Sequence, residues 1–471
     1  MSAALLIDFG STYTKLRAID LERRVILGSG QGPSTVAQDI AIGMKAALAD
    51  LERRCGALPR FKYRLASSSA AGGLRMVTIG LVPELTLEAA RQAALGAGAR
   101  LVGAFSHRIT ASDRAKICAL APDIVLLAGG TDGGNTEVIL HNAGMLGQST
   151  LACPIVYAGN RVAADDALAL LAERTVLVTE NVMPDINLLN VDPARAVIRQ
   201  VFIDRIVHAK GMDAAQAMFD QVLMPTPAAV LEGARLLADG CAGMAGLGEL
   251  MVVDPGGATT DVHSVATGEP MTPAVFRQGL PEPRIKRSVE GDLGMRHNAA
   301  AILELAGVDA IARDSALSPA RVGSLVAQLS RDVERLPGDR DEENLDLALV
   351  RAAVRTAVLR HCGTVKIVYT VNGPATVQHG KDLCALKTVI GTGGALVHAR
   401  DPLSVLRMAL ADPSDPADAQ SLRPRTPRLL LDRDYVLYAC GLLSTVEPQA
   451  ALELALKHLV AAADGAAPAA N

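Results

Sequence analysis

The chain has no tryptophan, has aromatic residues at only 3% of its 471 positions, and carries seven cysteines. Because aromatics are scarce, the interior must be built mainly from Ala, Leu and Val, which suits helices packed on parallel strands. The odd number of cysteines, with no C-x-x-C spacing, argues against a disulfide framework or a structural zinc cluster. A reducing compartment fits this cysteine usage better.

The sequence also lacks an excess of charge of one sign and lacks long apolar runs. The 46 basic and 50 acidic residues are interleaved and give a formal net charge of -4, which disfavours nucleic-acid binding. The segment MSAALLIDFGSTYTK contains an acid at Asp8 and lacks the charge pattern of a secretion signal. No uncharged run approaches the roughly 20 residues that cross a bilayer. We therefore expect a cytoplasmic protein that binds neither nucleic acid nor membrane.

Four short apolar runs each end in a glycine-rich turn, at residues 4–20, 123–135, 249–265 and 387–399. Amphipathic helical patterns lie between these runs, and this alternation predicts an α/β fold. The first and third runs continue into a second alternating strand, which predicts a β-hairpin. A P-loop or a dinucleotide fingerprint would enter a helix instead. The two similar hairpins suggest two related halves that face one cleft.

The same pattern predicts the domain organisation. We expect one half at residues 1–150 and the other at residues 249–411. A mainly helical connecting or partner-contacting subdomain is expected at residues 151–248. Residues 412–471 are expected to form a loop, strand and helix that pack back on the core, since this segment begins with a Pro- and charge-rich stretch.

The first hairpin loop carries Asp8 at the end of an apolar strand. An Asp in this position can hold Mg²⁺ through water, because magnesium keeps much of its hydration shell. A hairpin tip that approaches phosphate needs glycine, exposed N–H groups and hydroxyl donors. An ordinary hairpin with a polar tip is the alternative. The candidate phosphate-binding residues of this loop are Gly10, Ser11, Thr12, Thr14 and Lys15.

The second hairpin loop repeats this plan, with Asp254 at the end of its strand. One such loop is weak evidence because Asp-Gly-Gly-Thr strings are common in turns, but a matched pair is stronger. Two facing loops would enclose the phosphates of a nucleotide, while Asp8 and Asp254 share the metal and orient a water. The candidate phosphate-binding residues here are Gly256, Gly257, Thr259, Thr260 and Asp261.

Three further groups carry candidate chemistry. The turn Gly391-Thr392-Gly393-Gly394 would let backbone approach an adenine or ribose edge, although a tight strand-to-helix turn is an equal alternative. Glu290 and Asp292 are candidate bases for the attacking water, whereas acids beside glycine more often cap helices. The loop at residues 131–135 is either a second nucleotide-facing turn, a partner loop or a structural crossover turn.

The order D-F-G-S-T-x-T-K, D-x-G-G-x-T-T-D and G-T-G-G resembles the phosphate-1, phosphate-2 and adenosine motifs of the actin, sugar-kinase and Hsp70 ATPase superfamily. This resemblance implies two RNase H-like domains around a nucleotide cleft, with ATP and Mg²⁺ as ligands.

Longer strings are similar to the MutL (GlmL) family, which is named for glutamate mutase. They are ASSSAAGGLRM at 66–76, LLAGGTDGGN at 126–135, VYAGN at 156–160, ENVMPDINLLNVDPAR at 180–195, LMPTPAAVL at 223–231 and SVEGDLGMR at 288–296. The resemblance implies an accessory ATPase, a reactivase or chaperone, of an adenosylcobalamin-dependent mutase such as methylaspartate mutase or an aminomutase. The chain has no D-x-H-x-x-G cobalamin-binding string, so the mutase chemistry is expected to belong to the partner.

Two other functions remain open at this point. A small-molecule kinase of the same fold would need a substrate pocket with its own catalytic carboxylate, and the sequence singles out none. A nucleotide-gated scaffold similar to actin would need self-complementary surfaces, so self-association is also an open alternative.

Overall fold

A computed structural model describes residues 2–10, 13–33, 35, 40–68, 74–207, 219–272, 274–333, 335–371 and 373–464. The chain divides into two compact units. Unit 1 comprises Met1–Ala229 and Gly279–Pro283, and unit 2 comprises Val230–Gln278 and Arg284–Asn471. Each unit has its own central sheet and its own buried apolar core.

Unit 1 begins with a hairpin, contains an inserted run of alternating strands and helices, and ends in the first turn of a helix that continues into unit 2. Its elements are β1 (Ala3–Phe9), β2 (Tyr13–Asp20), β3 (Val25–Pro33), α1 (Ile40–Cys55), β4 (Phe61–Ser68), β5 (Arg75–Gly80), α2 (Glu88–Gly96), β6 (Arg100–Ser106), α3 (Ala111–Ala119), β7 (Ile124–Leu127), α4 (Glu137–Gly147), β8 (Ile155–Tyr157), α5 (Ala164–Leu170), β9 (Val176–Val178), α6 (Asp192–Val207), β10 (Gln221–Pro225) and α7 (Thr226–Asp239).

The first sheet of unit 1 has the strand order β3-β2-β1-β4-β10. Strands β1, β2 and β3 pair antiparallel, whereas β4 runs parallel to β1 and β10 runs parallel to β4. Strand β1 is buried along its whole length, which explains its nearly continuous apolar sequence AALLIDF. The pairing of β1 with β2 confirms the hairpin predicted at residues 4–20.

Glycines in β3 allow α1 to lie directly on the sheet. A Cβ atom added at Gly30 would lie 2.4 Å from the carbonyl oxygen of Ala47, and one at Gly32 would lie 2.6 Å from the carbonyl oxygen of Gly43. No side chain fits in that space, so these positions need glycine for close backbone approach. The apolar residues of α1 then reach the core formed by β1 and β2.

A second, parallel sheet is inserted between β4 and β10. Its strand order is β6-β5-β7-β8-β9, so its first strand lies inside the sheet and the order reverses beside it. Helices α2 and α6 cover one face, and α3, α4 and α5 cover the other. This is a doubly wound arrangement. Residue 150, where the sequence predicted a domain boundary, falls between β7 and β8, which pair within this sheet.

Unit 2 contains the remaining elements. They are β11 (Gly240–Cys241), β12 (Met244–Ala245), β13 (Leu250–Pro255), β14 (Thr260–Val265), β15 (Val275–Gln278), β16 (Ile285–Glu290), α8 (Ala299–Ala306), α9 (Val308–Ser315), α10 (Pro319–Arg331), α11 (Arg340–His361), β17 (Thr364–Thr370), β18 (Gly373–His379), β19 (Thr388–Gly391), α12 (Gly394–Val397), α13 (Pro402–Arg407), β20 (Arg428–Asp432), α14 (Leu437–Leu443), α15 (Pro448–His458) and β21 (Leu459–Ala461).

The main sheet of unit 2 has the order β16-β14-β13-β19-β20-β21. Its first five strands repeat the arrangement of unit 1: a three-stranded antiparallel meander, then two strands parallel to the first. Strand β21 adds an antiparallel edge to β20. The predicted fold class, α/β with two RNase H-like domains, is therefore confirmed, as is the hairpin predicted at residues 249–265.

Helix α11 supplies much of the unit 2 core and packs beside α8, α9 and α10. Its 22 residues follow the N-cap Asp339, whose side chain accepts a hydrogen bond from the backbone N–H of Glu342. Among the described residues, no helix is both long and apolar enough to cross a membrane.

A buried polar cluster lies against the end of α11. The ring nitrogens of His361 are 2.8 Å from the hydroxyls of Ser264 and Ser288, and the fully buried Lys381 donates to Ser264. His263 is equally buried, and neither of its ring nitrogens has a hydrogen-bond partner among the described residues. Burial, with a smaller effect from Arg287, holds the pKa of His263 well below its ordinary value.

This buried histidine predicts a pH-dependent loss of stability. Above about pH 6.5 the ring is neutral in both states; below it the unfolded chain binds a proton that the folded chain excludes, so acid favours unfolding. The variant His263→Leu should therefore gain about 1.4 kcal/mol relative to the parent between pH 7.5 and 5.5. Urea unfolding followed by far-UV circular dichroism measures this difference.

The control is His379→Leu at an exposed position of the same unit. It should show no such gain on acidification. Equal pH dependence of the parent and His263→Leu would contradict the assignment of the acid sensitivity to this ring.

Candidate functional site

The two predicted hairpins have the same closing hydrogen bond and the same strand register. In unit 1 the N–H of Gly10 donates to the carbonyl of Tyr13 at 3.0 Å, and in unit 2 the N–H of Gly256 donates to the carbonyl of Thr259 at 2.8 Å. Asp8 and Asp254 each lie two residues before the glycine and pair across the hairpin with the second residue after the turn. The carboxylates therefore occupy equivalent positions in the two units.

The residues opposite these carboxylates differ in charge. Asp8 pairs with Lys15, whereas Asp254 pairs with Asp261. The Asp261 carboxylate in turn accepts a hydrogen bond of 2.9 Å from the buried Arg287. The unit 1 hairpin thus carries a lysine opposite its Asp. The unit 2 hairpin carries a second acid there, and Arg287 of the neighbouring strand β16 neutralises it.

In unit 1, Asp8 lies at the carboxyl end of β1, beside the ends of β4 and β10. Its carboxylate is buried and accepts a hydrogen bond of 2.6 Å from the hydroxyl of Thr226, which also lies 3.2 Å from the hydroxyl of Ser67. Burial raises the pKa of Asp8, and the charge of Lys15 and the Thr226 hydrogen bond partly offset this rise. The sequence prediction missed Thr226 and Ser67, which sit in the family-like strings without an assigned role.

Of the other predicted unit 1 residues, Thr14 is fully buried, and its hydroxyl has no hydrogen-bond partner among the described residues. Ser11 and Thr12 lie outside the described residues.

In unit 2, the segment at residues 294–297 supports the loop at residues 256–259. The N–H of Met295 donates to the carbonyl of Gly256, and the N–H groups of Arg296 and His297 donate to that of Gly257. A Cβ at Gly294 would lie 2.3 Å from the backbone of Ala258, so the two segments cross in direct backbone contact. Sequence reasoning recognised SVEGDLGMR as a family-like string but missed this support.

The turn at residues 391–394 lies against the same loop because β19 is the parallel neighbour of β13. Gly393 has φ of 86°, and a Cβ there would lie 2.2 Å from Oδ1 of Asp254. Glycine is required by both the backbone conformation and the carboxylate beside it. The structure therefore brings the predicted phosphate and adenosine motifs of unit 2 together.

Several predicted hydroxyls are engaged inside unit 2. Thr392 is buried and donates to Asp432 at 2.9 Å, while Thr260 is buried and donates to the carbonyl of Leu293 at 2.7 Å. These bonds fix the loops to the sheet. Thr259 is partly exposed, and its hydroxyl lies 3.2 Å from Asp261.

Glu290 and Asp292 share one arginine. Arg360 of α11 donates a hydrogen bond of 2.7 Å to Glu290. It also donates one hydrogen bond to each carboxylate oxygen of Asp292, at 2.7 and 2.9 Å. Burial raises the pKa of Glu290, although Arg360 opposes the rise, whereas the hydrogen bond from Arg360 lowers the pKa of Asp292. Glu290 also pairs with Thr260 across strands β16 and β14, which places it beside the hairpin formed by β13 and β14.

A pocket of about 920 Å³ opens within unit 2. Gly257 and Gly394 both line it, as do Arg296 and Asp346, which form a two-pronged ion pair with distances of 3.0 and 2.6 Å. The remaining lining comes from the segment at residues 294–297, from the segment before α11, from α11, and from α12 and its continuation. These residues are Met295, Leu336, Pro337, Glu343, Leu347, Val350, Ala395, His398, Ala399 and Arg400. The sequence prediction included only the two glycines, because the other residues come from distant segments.

Comparison with solved structures gives low similarity over most of the chain. A nucleotide-free acetone carboxylase is 15% identical with a TM-score of 0.40, covering 94% of this chain and 70% of that one. The xylulose kinase of Rhodospirillum rubrum is 14% identical with a TM-score of 0.33, covering 96% and 92%.

Sequence comparison gives a much stronger result. Protein MutL of Clostridium tetanomorphum is 46% identical over 463 residues, which cover 98% of this chain and 100% of that protein. The model of one protein family, described as MutL protein, matches residues 4–459. With both matches extending over almost the whole length, the chain belongs to the MutL protein family.

Proposed function

We propose that this protein binds and hydrolyses Mg-ATP and uses the cycle to service an adenosylcobalamin-dependent mutase. The observation that carries the nucleotide part is the close approach of Gly393 to the Asp254 carboxylate, directly before Gly394, which lines the same pocket as Gly257. Nucleotide recognition needs a carboxylate, a glycine-rich turn and a large pocket close together.

The pocket of about 920 Å³ is large enough for a nucleoside. Its apolar side, with Leu347 and Val350 of α11, suits a base. Arg296 and Arg400 carry N–H donors for polar groups of a ligand, and their charges are balanced by Asp346 and Glu343. Gly257 is exposed at the tip of the hairpin, so its backbone is accessible to a ligand. These features support a placement in which the base and ribose of the nucleotide lie in the pocket and its phosphates lie against residues 256–259.

Each unit also offers a carboxylate of the kind that magnesium binds. Asp8 in unit 1 and Asp254 in unit 2 end equivalent strands, and a carboxylate in this position holds Mg²⁺ through water. When bound, the ion would neutralise phosphate charge. Glu290, with its raised pKa, is the better candidate of the two Arg360-bound acids to accept a proton from water. Asp292, with its lowered pKa, would serve to position Arg360.

The partner part of the proposal comes from family membership. The relative of 46% identity is named Protein MutL, and the strings shared with the family imply association with cobalamin-dependent mutases. Such a partner would be served by reactivation, cofactor exchange or assembly. A small-molecule kinase of the same fold is the second candidate, and the ATPase and binding experiments below separate the two.

The first test fills the phosphate end of the pocket. A Cβ added at Gly257 would meet nothing closer than 3.8 Å, at Arg296, so Gly257→Ala should fold normally. The methyl group would nevertheless crowd a phosphate at the hairpin tip, so we expect at least a tenfold weaker Kd for ATP by calorimetry with magnesium. The matched control is Gly323→Ala in α10, where an added Cβ meets nothing within 4 Å. Equal affinity of both variants would reject the phosphate assignment.

The second test separates charge from hydrogen bonding in the same loop. Asp254→Asn keeps the shape but loses the charge that holds Mg²⁺ and water, so hydrolysis should slow roughly 100-fold while ATP still binds. Thr259→Ala removes one hydroxyl and should weaken binding by about 0.5 to 1.5 kcal/mol. Single-turnover hydrolysis and ATP affinity are measured for both. Unchanged hydrolysis in Asp254→Asn would remove this residue from the catalytic assignment.

The third test concerns the partner. We expect slow ATP hydrolysis by the protein alone and a changed rate when a cobalamin-dependent mutase of the same organism is added, because partner binding biases the nucleotide-dependent states. Asp254→Asn should still form the complex but show no change in rate. If no encoded cobalamin enzyme binds or alters turnover, the accessory function is rejected. Phosphorylation of an added small molecule would instead favour the kinase.

A further inference from the structure

A small sheet in unit 2 has an exposed, apolar outer strand. Its strand order is β15-β18-β17, and β17 has the sequence TVKIVYT. Ile367 is 67% exposed, Tyr369 is 87% exposed and Val368 is 39% exposed. On the other outer strand of the sheet, Phe276 is 63% exposed. Ile367 and Tyr369 lie on one face of this sheet, and Val368 and Phe276 lie on the other. Several exposed apolar side chains on one small element are typical of an interaction surface.

The backbone of β17 is directed outward at alternate residues. The N–H of Val365 donates to the carbonyl of Gln420, on the side away from β18. Since N–H direction alternates along a strand, the N–H and C=O groups of Ile367 and Tyr369 also point away from β18. Within the described part of the chain, these outward groups have no backbone partner. Such an edge is a template for another strand.

The side-chain pattern of this edge is complementary to itself. If a second copy pairs antiparallel about a two-fold axis at Val368, Ile367 lies opposite Tyr369 of the second copy, an arrangement of β-branched and aromatic residues that stabilises sheets. Lys366, the only charged residue of β17, then lies opposite Thr370, so no like charges meet. The outward backbone groups of Ile367 and Tyr369 fall in hydrogen-bonded pairs, as antiparallel geometry requires.

The alternative axis at Ile367 is excluded by a contact within unit 2. It would place Tyr369 of the second copy opposite Val365, where the outward side is already occupied by Gln420.

We propose that β17 pairs with β17 of a second copy of this chain, antiparallel and centred on Val368, so that the two small sheets become continuous. The contact is isologous, as a two-fold dimer demands. Because the free edge is short, the buried area is small, and the dimer should form reversibly and depend on protein concentration.

Cysteine crosslinking tests the register. In the proposed dimer the two Val368 residues form a pair without hydrogen bonds, with Cα atoms about 4.5 Å apart, which a disulfide can bridge. Val368→Cys should therefore form a disulfide dimer under mild oxidation. Lys366→Cys lies on the same face, but its two copies are about 13 Å apart along the strands, so it should not crosslink. The parent, with its native cysteines, is oxidised in parallel.

Sedimentation of the full chain tests the association itself. Ile367→Pro removes an outward N–H without removing a bond of the β17–β18 ladder, so it should abolish the dimer while keeping the circular dichroism and melting temperature of the parent. A parent that stays monomeric at all concentrations overturns the proposal. So does equal crosslinking at residues 366 and 368, or an edge that pairs only with a different protein.

Discussion

The candidate site depends on one constraint: the carboxyl ends of neighbouring parallel strands meet at the same edge of a sheet. Strands β13 and β19 are such neighbours, and this places the Asp254 carboxylate against the Cα of Gly393. The same rule in unit 1 brings Asp8 together with Ser67 and Thr226. Hairpin, strand-end acid and glycine turn are therefore held in register by the backbone hydrogen bonds of the sheet.

The two units use a common scaffold for different chemistry. The strand order is repeated, and so are the hairpin bond and the position of the acid, but the residue across the hairpin is Lys15 in one unit and Asp261 in the other. A duplicated fold can retain a backbone geometry while each copy changes charge. Asp261 is tolerated because the guanidinium of Arg287 neutralises it inside the unit.

Local patterns made the fold class and the two hairpins predictable. Each hairpin is encoded by one continuous stretch of sequence, which consists of an apolar strand, an Asp, a glycine turn and an alternating strand. Local sequence is therefore enough to predict it. The support of the second loop by residues 294–297 was not predictable, since Gly294 meets Ala258 across 36 positions and nothing in either string marks the crossing. Two ion pairs were not predictable for the same reason, because their partners are far apart in the sequence. They are Arg296 with Asp346 and Arg360 with Glu290.

The inserted parallel sheet has a consequence for the order of folding. The chain leaves the first sheet at Ser68 and returns to it only at Gln221, so β10 cannot pair with β4 until the whole insertion has been synthesised. Pairing β4 with β10 has to close the loop formed by the whole insertion, and closing a long loop costs more conformational entropy than closing a short one. Until residues 221–225 have been synthesised, the edge of β4 that faces away from β1 has no strand to pair with, and an open strand edge is a site for chaperone binding or misassembly.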